Sequence, residues 1–96
     1  LKTNGHFKFR LYVAGDAPNS LLAVANLRAI CREFLAERHE IEIVDVLREP
    51  KRVLADDILL TPALVKLSPL PVRKIVGNLS QREPVLQALG LPVEPR

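Results

Sequence analysis

The chain is 96 residues long, carries a net charge of +3 and has one cysteine, Cys31. A single thiol excludes an intramolecular disulfide and a cysteine-based metal cage, and no stretch approaches the roughly 20 apolar residues of a membrane span. With 48% hydrophobic and 26% charged residues, the chain reads as one soluble, cytoplasmic α/β domain over residues 1–96.

With Leu1 in place of Met the natural start is expected upstream, residues 1–5 are expected to be flexible, and nothing there resembles a signal peptide. FKFRLYV, residues 7–13, alternates Phe7, Phe9, Leu11 and Val13 with Lys8, Arg10 and Tyr12, the period of a strand with unlike faces. After the loop AGDAPN, Asn19 or Ser20 is expected to cap a long helix. Its apolar positions Leu21, Val24, Leu27, Cys31, Phe34 and Leu35 recur mostly at spacings of three and four, and it should end near Arg38 and His39. Cys31 lies on that stripe and reads as core, while His39 reads as a partner of the helix dipole. EIEIVDVL, residues 40–47, is a second strand rich in β-branched residues. Strand, long helix, strand is a βαβ unit with parallel pairing, and Asp45 is expected to accept from a nearby backbone donor.

Pro50 opens a short helix, KRVLADDI, with Val53, Leu54 and Ile58 for one face. Adjacent carboxylates on a helix diverge by about 100 degrees, so Asp56-Asp57 reads as a solvated acidic edge rather than a catalytic pair. LLTPALVKL and VRKIVG are two short strands, the first entered through Pro62, which is expected to follow a cis bond. Arg73 and Lys74 read either as charges that protect an exposed edge or as recognition residues. SQRE, residues 80–83, is a capping box ahead of a last helix, PVLQAL, closed by Gly90 and Pro92.

The order βαβ, α, ββα is the thioredoxin arrangement. Asp16-Ala17-Pro18-Asn19 stands where thioredoxins carry Cys-x-Pro-Cys, and dithiol exchange has no thiol there to use. A thioredoxin-like glutathione-binding protein is the alternative, although such relatives normally add a second helical domain. His6 and His39 lack partners at ligand spacing, and there is no Gly-rich phosphate loop, so no catalytic, metal or cofactor site is expected. Residues 1–50 hold seven Lys/Arg and seven Asp/Glu, and residues 51–96 hold seven against four. That bias, without a block of like charges, suits an acidic protein surface and not nucleic acid.

LYVAGDAPNS, IVDVLREP and LLTPALVKLSPLPVRKIVGNLSQRE together resemble the KaiB family of bacterial circadian clock proteins, without a gap from about Phe9 to Leu89. The resemblance implies a regulator, not an enzyme, that binds a KaiC-type ATPase and has KaiA or a histidine kinase sensor domain as further associates. A related reading is the KaiB-like sensor domain of a histidine kinase. It also implies a homo-oligomer, a dimer or tetramer, whose second half folds as βααβ at rest and as αββα when bound. Pro62, Pro69 and Pro71 match family positions associated with that switch, and Asn19, Lys66, Arg73 and Lys74 are the expected partner contacts. Residues 85–91, VLQALGL, fit a helix face and an alternating strand equally well, so tertiary contacts decide between them. Pro84 and Gly90 depart from the cyanobacterial pattern and point to a non-cyanobacterial lineage, with a timing or stress-response role.

Overall fold

The computed structural model describes residues 5–93. Of the segment expected to be flexible, residues 1–4 lie outside the described residues. The elements run β1 (Phe7–Val13), α1 (Pro18–Phe34), β2 (His39–Asp45), α2 (Pro50–Ala55), β3 (Ala63–Ser68), β4 (Arg73–Val76) and α3 (Arg82–Leu89). They form one four-stranded sheet in the order β2-β1-β3-β4, with β1 and β2 parallel and the β3–β4 hairpin antiparallel to its neighbours. The second half is therefore αββα, the thioredoxin-like alternative.

Strand alternation sorts side chains into two cores of unequal size. Phe7, Phe9, Leu11 and Val13 of β1 and Leu64 of β3 join Ala23, Leu27, Ile30, Cys31 and Leu35 from the α1 segment and Val85, Leu86 and Leu89 of α3. On the opposite face only Tyr12, Val44, Ile58, Ala63 and Val65 form a second cluster. Cys31 belongs to the larger core, as its place on the stripe suggested, and burial pushes its thiol up to about 11.

The expected stripe of α1 is rotated. Leu21 is 56% exposed, whereas Ser20, Ala23 and Ile30 are buried. Pro18 occupies the first helical turn, so Ala17 is the cap residue and neither Asn19 nor Ser20 caps the helix. The Ser20 hydroxyl instead accepts from the Ala14 N–H at 3.0 Å. The helix also stops earlier than expected, at Phe34, where Ala36 takes a φ of 51°. After that turn His39 begins β2, with its Nδ1 buried and without a hydrogen-bond partner.

Later boundaries shift for similar reasons. β2 ends at Asp45 because its carboxylate accepts from the N–H groups of Gly15 at 3.1 Å and Leu47 at 3.0 Å, which closes the strand into a turn. α2 is only six residues long, leaving Ile58 outside it and Leu54 80% exposed. Cis bonds precede Pro62, Pro69 and Pro71. The capping box does not form: the cap residue of α3 is Gln81, and the Ser80 N–H donates to Asn78 Oδ1 at 3.0 Å. Gly90 closes α3 as expected, with a φ of 77° that suits a residue without Cβ.

Candidate functional site

The smaller face of the sheet carries α2, which buries none of its residues. Packing alone holds this helix weakly, so polar contacts fasten it. Tyr12 of β1 is 1% exposed, and its hydroxyl donates to Asp56 at 2.5 Å. Arg10 bonds Asp56 at 3.0 Å and Glu42 at 2.9 Å, and Arg52 bonds Glu42 at 2.7 Å. The bond from Tyr12, followed by the charge of Arg10, lowers the Asp56 pKa. Arg52 and then Arg10 bring that of Glu42 down to about 2. Burial first, and the Asp56 carboxylate second, raise the Tyr12 phenol. Asp56 is thus the anchor of α2, not a solvated edge, because the turn after the helix aims it at the buried tyrosine.

The hairpin closes over the same anchor. Lys74 of β4 donates from Nζ to the carbonyls of Asp56 at 2.8 Å and Asp57 at 3.4 Å, placing a cation at the end of α2 where the helix dipole favours it. Beside Lys74, a pocket of about 270 Å³ is lined by Ile58, Leu59, Leu60, Ala63 and Val76. Leu59 is 91% exposed, Leu60 63% and Val76 53%. This is an apolar surface with a lysine on its rim, the composition of an interface core and its border.

The four expected contact residues do not converge there. Lys74 lies on the pocket, but Arg73 points to the opposite face of the same strand, where Ile75 packs against the larger core. Asn19 is exposed in the first turn of α1, its Oδ1 accepting from Asn78 Nδ2 at 3.1 Å. The expected exposure fails at Lys66. That residue is 4% exposed, its ammonium stands 5.9 Å from the Phe7 ring centroid, and burial lowers its pKa. It follows Leu64 on the inner face of a central strand, where alternation carries it into the helix-covered layer. Cis-linked Pro62 is buried next to Thr61, and its carbonyl accepts from the Gly77 N–H at 2.9 Å, which joins the entry of β3 to the end of β4.

Sequence reasoning passed over Leu59, Leu60 and Val76, because an apolar pair before Thr-Pro reads as the start of a strand. It also passed over the Tyr12–Asp56 anchor, for which the one available signal was a lone tyrosine on the polar side of β1. Among the described residues, no three His, Cys, Asp or Glu side chains come together in a way that could hold a metal ion. No described helix is long and apolar enough to cross a membrane.

Residues 10–91 match the KaiB domain model. The chain belongs to the KaiB family. It is 44% identical over 88 residues to the circadian clock oscillator protein KaiB of Microcystis aeruginosa, covering 92% of this chain and 85% of that protein. The fold is similar to that of the N-terminal domain of Synechococcus elongatus SasA, with a TM-score of 0.74, 21% identity and coverage of 100% and 94%. It is also similar to mitochondrial thioredoxin 3 of Saccharomyces cerevisiae, at a TM-score of 0.68, 13% identity and coverage of 92% and 78%. The KaiB membership and the thioredoxin-like architecture both agree with the resemblance drawn from the sequence. The curated relatives are circadian clock proteins, which gives the family a clock regulatory role.

Proposed function

We propose that this chain is a non-catalytic, cytoplasmic regulator that docks onto a KaiC-type ATPase and modulates its phosphorylation state in a timing or stress-response system. The KaiB match over residues 10–91 carries the reading. The physical support is the exposed Leu59, Leu60 and Val76 surface beside Lys74, which offers a partner aliphatic area to bury and a cation to pair. Arg73, on the opposite face of β4, and Asn19, in the first turn of α1, are further contact residues in the proposal that lie outside this surface. Lys66 contributes only if the second half rearranges. KaiA or a histidine kinase sensor domain is a further partner in the same proposal.

The proposal includes a resting dimer or tetramer whose second half is βααβ. Its support is the weak local preference of residues 85–91 and an α2 that buries no residue. Calorimetry and size exclusion with a KaiC-type hexamer plus ATP test the docking. A saturable complex weakened about tenfold, or ~1.4 kcal/mol, by Leu59→Asp supports it. Failure to form a complex over hours, or one indifferent to both Leu59→Asp and Lys74→Glu, overturns it. Amide NMR of the free chain tests the second arrangement: signals after residue 50 with βααβ secondary shifts are expected, and a single set with the αββα shifts of the thioredoxin-like fold counts against it.

A further inference from the structure

Two cations oppose each other across the β3–β4 hairpin, on the side of the sheet that α1 and α3 cover. Lys66 pairs directly with Arg73, and like charges set opposite one another on one face of a sheet weaken the pairing. An opposite charge would strengthen it. The ion pairs of the described residues run elsewhere: Arg10 and Arg52 reach Glu42, Arg82 reaches Glu33, Arg48 reaches Asp45 and His6 reaches Glu40. Among the described residues no carboxylate bonds Lys66 or Arg73.

Lys66 makes this arrangement costly. It is 4% exposed, burial first and the Arg73 charge second lower its pKa, and the Phe7 ring at 5.9 Å stands at the outer limit of a cation–π contact. A methionine would fill the same space without a buried, uncompensated charge. The ammonium is nevertheless not sealed in. Among the described residues, the one fully buried side-chain N or O atom without a hydrogen-bond partner is His39 Nδ1, so the equally unpartnered Lys66 Nζ touches solvent. The stem is held in the core and the tip is open, beside an exposed Arg73.

We propose that Lys66 and Arg73 form an anion site for a phosphoryl group, as free phosphate or as a small phosphate monoester. The guanidinium offers a planar fork to two oxygens, the ammonium a point charge to a third, and two positive charges match the dianion. Because Lys66 is already held in one place, binding orders little further, and the anion supplies the counter-charge that burial withholds. A carboxylate matches half of that charge. The site lies on the other side of the sheet from Leu59, Leu60 and Val76, and it does not depend on docking to an ATPase.

Amide NMR titrations of the full chain at constant ionic strength test this, with sodium phosphate, glycerol 1-phosphate and sodium acetate as probes at about pH 8, where the phosphoryl group is doubly charged. Saturable shifts centred on Phe7, Lys66 and Arg73 are expected, half complete below about 10 mM for a phosphoryl probe and at least about tenfold weaker for acetate. Whichever phosphoryl probe binds more tightly assigns the source. Arg73→Gln and Lys66→Met should each weaken binding at least about tenfold, and Lys51→Gln should leave it unchanged. Lys66→Met should also keep or raise the denaturant midpoint, since it removes an unpaired buried charge. Half-saturation only above about 100 mM, or equally by acetate, means an adventitious ion only and overturns the inference. So does phosphate binding that survives Arg73→Gln, or a lowered midpoint in Lys66→Met, the mark of a purely structural lysine.

Discussion

The two faces of the sheet solve different problems. Under α1 and α3, fifteen buried residues among those described form one apolar cluster, including Phe7, Phe9, Leu27 and Leu64. Under α2 there are five, and the helix is held by Tyr12, Arg10, Glu42, Arg52 and Asp56. Apolar burial is non-directional and contributes in proportion to area, whereas hydrogen-bonded charges contribute little net stability but fix position. The first face therefore supplies most of the stability. The second sets where α2 and the hairpin lie, and leaves Leu59, Leu60 and Val76 uncovered beside them.

The contrast can be broken most severely from the apolar side. Leu27→Ala removes a fully buried side chain from the large core and should cost about 2–5 kcal/mol in denaturant unfolding. Tyr12→Phe tests the other face. It leaves the part-buried Asp56 without its hydroxyl donor, for an expected loss of about 1–3 kcal/mol.

A pH series of melting temperatures sharpens the difference further. The Glu42 pKa is lowered from 4.5 to about 2, and that of Asp56 is lowered as well. Their contribution is present above the ordinary carboxylate range and lost as pH falls through these lowered values. Acid therefore loosens the α2 face first, more gently than Leu27→Ala because Glu42 is largely exposed. Cys31 acts in the opposite direction, since its pKa rises from 9.0 to about 11. Its contribution holds below pH 9 and fades as pH climbs through about 11, so alkali loosens the large core. The smallest effect on stability belongs to Leu59→Asp, expected within about 0.5 kcal/mol of the wild type because the side chain is 91% exposed.

The sequence spoke most clearly where one pattern had one solution. The alternation in FKFRLYV placed β1, Cys31 fell in the core, Pro62 entered β3 through a cis bond, and Gly90 ended α3. It was misleading where two devices competed for one task. Pro18 started α1 in place of the side-chain caps, and the Asn78 turn displaced the Ser80–Glu83 box. The site was less legible than the fold, because it depends on long-range register. Lys66 reads as a surface lysine until the pairing of β3 with β1 puts it inside. Tyr12 and Asp56 are 44 residues apart and meet only through the crossover that brings α2 onto the sheet.

The most direct test of the two-sided account is amide hydrogen exchange of the chain with and without a KaiC-type hexamer and ATP. Added protection at residues 58–62 and 73–77, with the α1 face unchanged, is the predicted footprint. Protection confined to α1, or spread evenly over both faces, contradicts it.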